Sequence, residues 1–209
     1  MKIVAIIPAL NEENTIEEIV TTIKSVEIIN KVIVVSDGST DKTALLARKS
    51  GAKVIELKEN VGKGGAMSAG VNNCNEEILL FLDGDLIGLT KKHIYDLLAP
   101  VINENYEMSM GVFKKGVLNT DLAHFITPFL SGQRAIKRDL FLKIPFVEVS
   151  RYGIEIALTR YAIKNKIPII KVKLYNLTHV TKENKLGFFK GFRMRLKMYK
   201  EILFSLFIK

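Results

Sequence analysis

The sequence predicts an α/β protein built on a doubly wound, mainly parallel sheet. Through residues 1–113, short apolar runs alternate with helical patterns, and the connections between them are short. The apolar runs are continuous rather than alternating, which is typical of strands buried on both faces of a parallel sheet. Sheets of this kind bind their ligands at the carboxyl ends of the strands.

The first half predicts five strands and four helices. Acidic Glu17 and Glu18 favour the positive end of the first helix, Thr40-Asp41 caps the second, and Gly51 ends it. The strands are expected at 2–8, 31–35, 53–57, 77–82 and 108–113. The helices are expected from Thr15, up to 49, over 63–73 and over 90–103.

The pattern is less regular after residue 113. Residues 118–129 predict a mobile loop or short helix, and the loop over 114–129 is expected to close over a ligand and exclude water. Further strands are expected at 131–136 and 167–175, and further helices at 138–142, 152–164 and 185–207.

Composition places the chain among ordinary globular proteins. The 209 residues suit one domain, 48% of them are hydrophobic, and the net charge is +9. A single cysteine, Cys74, excludes an internal disulfide and predicts a reducing, cytoplasmic location. The N-terminal apolar run contains Pro8 and has no cleavage site, so it predicts a strand rather than a signal peptide.

Most of the positive charge lies in the tail. Residues 182–209 contain eight basic and two acidic residues, so the rest of the chain is nearly balanced and a nucleic-acid partner is not expected. The tail predicts an amphipathic helix with one apolar stripe. Two interpretations stand: the stripe packs on the sheet or in a homodimer, or residues 185–208 contact the inner face of a membrane as a peripheral helix.

Three predicted strands end in polar motifs that belong at one edge of the sheet. Two carboxylates a residue apart, as in Asp83-Gly84-Asp85, repel each other unless a cation lies between them. Mg2+ or Mn2+, completed by substrate phosphates, suits this arrangement. The first strand runs into residues 8–13 and the second into 36–41, where helix capping is the alternative interpretation.

A glycine-rich segment precedes the third helix. Residues 60–65 match neither the P-loop nor the dinucleotide fingerprint, yet small residues, Lys63 and a helix N-terminus favour a phosphate. A tight turn with a solvated lysine is the alternative.

Taken together, these motifs resemble those of family 2 glycosyltransferases of the GT-A fold. The resemblance rests on Pro8-Ala9-Leu10-Asn11-Glu12-Glu13, Ser36-Asp37-Gly38-Ser39-Thr40-Asp41, Gly62-Lys63-Gly64 and Asp83-Gly84-Asp85. The second half is similar to glucosyl-3-phosphoglycerate synthases and polyprenyl-phosphate sugar transferases, through Ser131-Gly132-Gln133-Arg134, Tyr152-Gly153-Ile154-Glu155 and His179.

The resemblance implies a role for each matching residue. Asp85 would bind the metal directly, with His179 completing its shell and Asp83 contacting the ribose or a metal-bound water. Glu155 would act as the base, or would position a phosphate acceptor, and Arg134 would hold donor phosphates or the acceptor. The donor nucleotide would be bound by Pro8, Ala9, Leu10, Glu12, Asp37, Lys63, Asp83, Gly84 and Gln133, with Asp37 accepting from the base edge.

The implied activity is a metal-dependent sugar transfer. The donor would be a UDP- or GDP-sugar and the acceptor a small anionic or polyprenyl-phosphate molecule. Residues 1–181 would form the catalytic domain, with a nucleotide-binding half (1–113) and an acceptor half (114–181), followed by the basic helix 182–209. Inversion and retention both stay open, because the chain lacks the usual Glu-Asp pair and Gln-x-x-Arg-Trp motif. The alternatives are a nucleotidyltransferase on a similar sheet and a non-catalytic nucleotide-sugar-binding module.

Overall fold

A computed structural model describes residues 1–114, 131–144 and 154–180. The basic helix expected over 182–209 and nearly all of the closing loop expected over 114–129 lie outside these residues. The described residues come from both halves of the expected catalytic domain.

A seven-stranded sheet forms the centre of the described structure, and a two-stranded sheet lies beside it. The strand order of the large sheet is β3-β2-β1-β4-β7-β6-β8, and β5 pairs with β9. The strands are β1 Ile3–Ala9, β2 Lys31–Asp37, β3 Lys53–Leu57, β4 Ile78–Phe81, β5 Leu86–Ile87, β6 Met108–Lys114, β7 Arg134–Lys137, β8 Ile169–Tyr175 and β9 Thr178–His179.

The sheet is mainly parallel, as the continuous apolar runs predict. Strand β1 pairs in parallel with β2 and with β4, and Ile6 lies opposite both Ile33 and Phe81. Strand β7 is the exception: it runs antiparallel to β4 and β6, with Arg134 opposite Phe81. The carboxyl ends of β1, β2 and β4 therefore meet at one edge, and β7 begins at that same edge.

Helices cover both faces of the sheet, which makes the fold doubly wound. Alternate residues of β1 enter two separate cores: Ile3, Ala5 and Ile7 pack with α1 and α4, whereas Val4 and Ile6 pack with α3, α5 and α6. The helices are α1 Ile16–Lys24, α2 Thr43–Lys49, α3 Lys63–Asn72, α4 Lys91–Asn103, α5 Arg138–Leu142 and α6 Ile154–Lys164.

Local chemistry explains two differences from the expected elements. Thr40-Asp41 was expected to cap α2, but Lys42 holds the N-cap position; Asp41, one residue earlier, still accepts from the Thr43 N–H at 2.9 Å through Oδ1. The pairing of β5 with β9 was not expected, since a two-residue strand leaves no periodic pattern. Of the helices in the described ranges, none is long and apolar enough to span a bilayer.

Candidate functional site

The loops that follow β1, β2 and β4 contact one another at the carboxyl edge of the sheet. The Thr15 hydroxyl donates to the Gly84 carbonyl at 2.6 Å, which ties the start of α1 to the Asp83-Gly84-Asp85 turn. A Cβ on Gly84 would lie 3.1 Å from Ala9 Cβ and 3.2 Å from Glu12 Cγ. The turn approaches the first loop this closely only because residue 84 is glycine.

A second set of hydrogen bonds joins the loops after β1 and β2. Asn11 adopts a left-handed conformation (φ 55°), and its Oδ1 accepts from the Thr40 N–H at 2.9 Å. The Glu13 N–H donates to Asp41 Oδ2 at 3.1 Å, and Glu13 Oε2 accepts from the Lys42 N–H at 3.1 Å. Reciprocal bonds of this kind fix both loops before any ligand arrives.

The residues expected to hold the nucleotide lie along this edge. Pro8 and Ala9 are the last two residues of β1, and Leu10 follows them with 43% of its surface exposed. Glu12 is half-buried and contacts the Gly84 region. Pro8, Ala9, Leu10, Glu12 and Gly84 are thus brought together, and their contact with a nucleotide stays a prediction.

Asp37 holds the glycine-rich loop. Its side chain is 4% exposed, with Oδ1 accepting from the Val61 N–H at 2.8 Å and Oδ2 from the Gly62 N–H at 2.9 Å. Gly62 itself has a left-handed φ of 86° and precedes α3. We call this arrangement, Asp37 with residues 60–62, the backbone clasp. Its two N–H groups are committed to Asp37, so a phosphate would not find them free.

Lys63 lies between two carboxylates. Its Nζ is 2.5 Å from Asp83 Oδ1 and 2.6 Å from Glu155 Oε1. Burial favours a lower pKa for the Lys63 ammonium, but Asp83 and Glu155 outweigh that effect and hold its pKa above the usual range. Lys63 therefore stays charged and links α3 to the end of β4 and to the first turn of α6.

The side chain of Gln133 completes the environment of Asp83. Its Nε2 donates to Asp83 Oδ2 at 3.0 Å, while Lys63 contacts Oδ1. A Cβ on the preceding Gly132 would overlap Lys63 Nζ and both carboxylate oxygens of Asp83, so a larger residue there would have to displace these side chains. We call Lys63, Asp83, Gln133 and Glu155 the charged cluster.

Arg134 differs from the expectation that it faces a phosphate. It is 0% exposed, its Nε donates to the Ser131 carbonyl at 2.8 Å, and its Nη1 donates to Thr159 Oγ1 at 2.9 Å. Burial lowers its pKa to about 10, although the charges of Glu155 and Asp83 act in the opposite direction. At neutral pH Arg134 is a buried positive charge beneath the charged cluster. Its side chain is buried because Arg134 is the first residue of β7 and faces the core.

The second small sheet brings His179 next to Asp85. Strand β9 pairs with β5 so that His179 lies opposite Leu86, and the Val180 N–H donates to the Asp85 carbonyl at 3.0 Å. The His179 ring, which is exposed, lies 5.7 Å from the Phe113 ring. Within the described ranges, no group of three or more His, Cys, Asp or Glu side chains is arranged to hold a metal. Asp83, with both oxygens engaged, is not arranged as a third ligand in this structure.

Two residues that support the charged cluster, Thr159 and Gly132, were not among the site residues predicted from the sequence. Thr159 accepts from Arg134 and donates to the Glu155 carbonyl at 2.9 Å, so it joins the buried guanidinium to the helix that carries Glu155. Its only trace is its place one turn after Glu155. Gly132 belongs to the Ser131-Gly132-Gln133-Arg134 motif. That its missing side chain leaves space for Lys63 and Asp83 is visible only in the structure.

Comparison with known proteins identifies similar sequences and structures. The family model described as glycosyl transferase family 2 matches residues 4–199. The glucosyl-3-phosphoglycerate synthase of Mycolicibacterium smegmatis is 28% identical over 73% of this chain and 61% of its own. The 4,4'-diaponeurosporenoate glycosyltransferase of Staphylococcus aureus is 34% identical over 63% of this chain and 34% of its own. The chain therefore spans about three fifths, or less, of these relatives.

Solved structures agree in fold with the described residues. A crystal structure of glucosyl-3-phosphoglycerate synthase from Mycobacterium tuberculosis with Mn2+, UDP and phosphoglyceric acid has a TM-score of 0.81 and 26% identity. The match covers 100% of this chain and 79% of that one. Another structure of the same enzyme, with Mg2+ and UDP, has a TM-score of 0.74 and 28% identity over 86% of this chain and 71% of that one.

Proposed function

The chain belongs to the glycosyl transferase family 2, and from that premise we propose that it transfers a sugar from a UDP-linked donor to a small anionic acceptor. The observation that carries the proposal is the charged cluster at the carboxyl edge, where Lys63 meets Asp83 and Glu155 beside the Asp83-Gly84-Asp85 turn. The M. tuberculosis relative, crystallised with UDP-glucose and phosphoglyceric acid, supports the choice of donor and acceptor class.

Asp85 and His179 suit a divalent cation. The β5–β9 pairing brings an acidic residue and a histidine to one place, and a cation held by few protein groups keeps room for substrate phosphates. We assign Mg2+ or Mn2+ to these two residues, with Asp83 engaged by Lys63 instead. When bound, the cation would neutralise charge that develops on the leaving diphosphate.

Lys63 and its carboxylates would orient the donor. The ammonium stays charged, is 25% exposed, and is therefore able to meet an anionic group of the donor from the site side. Glu155, 6% exposed, would hold Lys63 in place and, once separated from it, would be able to orient or deprotonate an acceptor hydroxyl. Asp37 would act indirectly, by fixing the loop that precedes α3.

Neither alternative is favoured by an observation in the described structure. Membership of a glycosyltransferase family rules out the nucleotidyltransferase alternative. The non-catalytic module differs from the proposal in one consequence only, since it would bind the donor without turnover. The basic tail lies outside the described ranges. We propose the small anionic acceptor over polyprenyl phosphate because the M. tuberculosis relative was crystallised with phosphoglyceric acid.

A transfer assay tests the proposal. Purified protein, radiolabelled UDP-glucose and phosphoglyceric acid would be incubated with Mn2+ or with EDTA, with polyprenyl phosphate as the second acceptor. We expect metal-dependent formation of a labelled phosphoglycerate product, lost in Asp85→Asn and kept in Asp96→Asn, which removes a surface carboxylate on α4. Donor binding without transfer to either acceptor would contradict the proposal and support the binding module.

A further inference from the structure

The side chain of Gln133 has one amide atom engaged and one that is not. The residue is 1% exposed, and its Nε2 donates to Asp83 Oδ2 at 3.0 Å. Its Oε1 is buried and accepts no hydrogen bond from the residues that the structure describes. A buried acceptor left without a donor is unfavourable, which makes this oxygen a candidate for contact with a ligand.

The orientation of this amide is fixed by its neighbours. Rotating it by half a turn would place Oε1 against the Asp83 carboxylate, and two acceptors would then face each other. The backbone is held as well, because the Gly111 N–H donates to the Gln133 carbonyl at 2.8 Å. Gly111 also gives the side chain room, since a Cβ there would lie 3.1 Å from Gln133 Cβ. The free atom is therefore an oxygen.

An oxygen at this place selects one kind of partner. It cannot bind a phosphate oxygen, because both atoms are acceptors and because Asp83 next to it carries a negative charge. The groups of a UDP-sugar that have a hydrogen to donate are the N3–H of the uracil ring and the hydroxyls of the ribose and of the transferred sugar. The base is expected at the ends of β1 and β2, whereas Gln133 lies just before β7, so the hydroxyls are the partners that suit Oε1. Gln133, which the family resemblance implies as a donor-binding residue, would then bind the donor through a hydroxyl.

We propose that Gln133 determines donor specificity by accepting a hydrogen bond, through Oε1, from one hydroxyl of the nucleotide sugar. The inference rests on the proposed function and deepens it. Asp83 holds the amide from one side, so the oxygen is pre-positioned and its contact is lost when the hydroxyl is absent. A site built to bind a hydroxyl discriminates strongly against analogues without it, because its own buried group is then left unpaired.

The test pairs a change in the protein with a change in the ligand. Binding of UDP-glucose would be measured by calorimetry in the presence of Mn2+, alongside analogues that each lack one hydroxyl of the glucose or of the ribose. We expect one analogue to bind the native protein roughly 10-fold more weakly. The same analogue and UDP-glucose should bind Gln133→Met with equal affinity, within about twofold. If the analogue that binds more weakly lacks a ribose hydroxyl, Gln133 contacts the ribose; if it lacks a glucose hydroxyl, Gln133 contacts the transferred sugar.

Two further variants make the test specific. Asn165→Ala removes an exposed amide at the end of α6 and should keep the native discrimination in full. Gln133→Glu keeps an acceptor oxygen and should keep part of the discrimination, at weaker overall affinity because a second carboxylate then faces Asp83. If Gln133→Met does not fold, the native protein and Gln133→Glu still carry the comparison.

Several results would overturn the inference. One is equal binding of all the analogues by the native protein; another is an undiminished analogue penalty in Gln133→Met. Loss of Mn2+ binding in Gln133→Met without nucleotide would make Oε1 a cation ligand instead. If the native protein binds UDP-glucose but the analogue penalties do not depend on Gln133, this inference alone is wrong. If the native protein binds no uridine nucleotide, the proposed function is wrong as well.

Discussion

Asp37 and Asp83 occupy equivalent places in the fold and have opposite environments. Asp37 is the last residue of β2 and Asp83 lies two residues after the end of β4, at the same edge of the sheet, and each has both carboxylate oxygens engaged. The partners of Asp37 are the backbone N–H groups of Val61 and Gly62, whereas those of Asp83 are the side chains of Lys63 and Gln133. Asp37 is 4% exposed, and the Asp83 side chain is 26% exposed.

We infer from this difference that Asp37 is a structural carboxylate and that Asp83 is the one that responds to a ligand. Backbone N–H groups cannot leave Asp37 without unfolding the start of α3, so the backbone clasp serves the shape of the loop. Side-chain partners can change, because an ammonium and an amide reorient without moving the main chain. We infer that the charged cluster exchanges contacts when a donor binds and that the backbone clasp does not.

The largest effect is expected from Lys63→Met. Removing the ammonium leaves Asp83 and the buried Glu155 without their shared cation, which we expect to lower the free energy of unfolding by about 3 kcal/mol. Transfer should fall by about 100-fold or more, since the donor loses its cationic partner. Urea unfolding and kcat/KM measure the two losses. Lys92→Met, which breaks an exposed ion pair with Asp96 on α4, is the control and should change stability by less than about 0.5 kcal/mol.

A double mutant sharpens the same point. In Lys63→Met/Glu155→Gln the buried carboxylate is gone, so part of the stability lost in Lys63→Met should return while transfer stays low. If the two losses in stability simply add, Lys63 and Glu155 are not coupled and the cluster is not a unit.

Asp37→Asn should affect stability more than chemistry. The neutral amide can accept from only one of the two N–H groups and places its own NH2 against the other, which we expect to cost about 2 kcal/mol in unfolding free energy. The KM for the donor should rise because the loop loosens, and kcat should change little. A collapse of kcat with an unchanged melting temperature would make Asp37 a catalytic group and would break the comparison.

Thr159→Val should have a moderate effect on the support of the cluster. The substitution keeps the shape and removes the hydroxyl that accepts from Arg134, so about 1 kcal/mol of stability is expected to be lost. Thermal unfolding of this variant and of Thr21→Val, a control at an exposed position of α1, provides the measurement. Equal stability of Thr159→Val and the native protein would show that Arg134 does not need this bond.

The smallest effect is expected at Asp41, as a dependence on pH. Burial favours a higher pKa for its carboxyl, but hydrogen bonds from Thr43 and Glu13 outweigh it and leave the pKa below its ordinary value. The ionised form therefore stabilises the fold above about pH 4, and that stability is lost as the pH falls through the lowered pKa. Asp41→Asn should flatten the acid side of the stability profile, and an unchanged profile would contradict this assignment.

Most of the sheet could be predicted from the sequence, because burial on two faces leaves continuous apolar runs. Strand β1, for example, was expected at 2–8 and lies at Ile3–Ala9. Strands β5 and β9 could not be predicted, since two residues carry no period and the pairing that forms them spans the whole second half. The proximity of Asp85 and His179 depends on that pairing.

The site was predictable by residue type and less so by role. Asp83, Lys63 and Glu155 were candidates, and they do meet. That Asp37 binds backbone could not be foreseen, because N–H groups leave no mark in a sequence. Arg134 was expected, from the family resemblance, to hold donor phosphates or the acceptor, yet it donates to Thr159 and to the Ser131 carbonyl inside the core.

Calorimetry of UDP-glucose binding, with Mn2+ and with EDTA, tests most directly whether this edge of the sheet is a metal-assisted donor site. We predict that the native protein and Asp96→Asn bind UDP-glucose with Mn2+ and at least about 10-fold more weakly with EDTA, and that Asp85→Asn shows the weak value in both. Equal affinity of native protein and Asp85→Asn in the presence of Mn2+ would contradict the assignment.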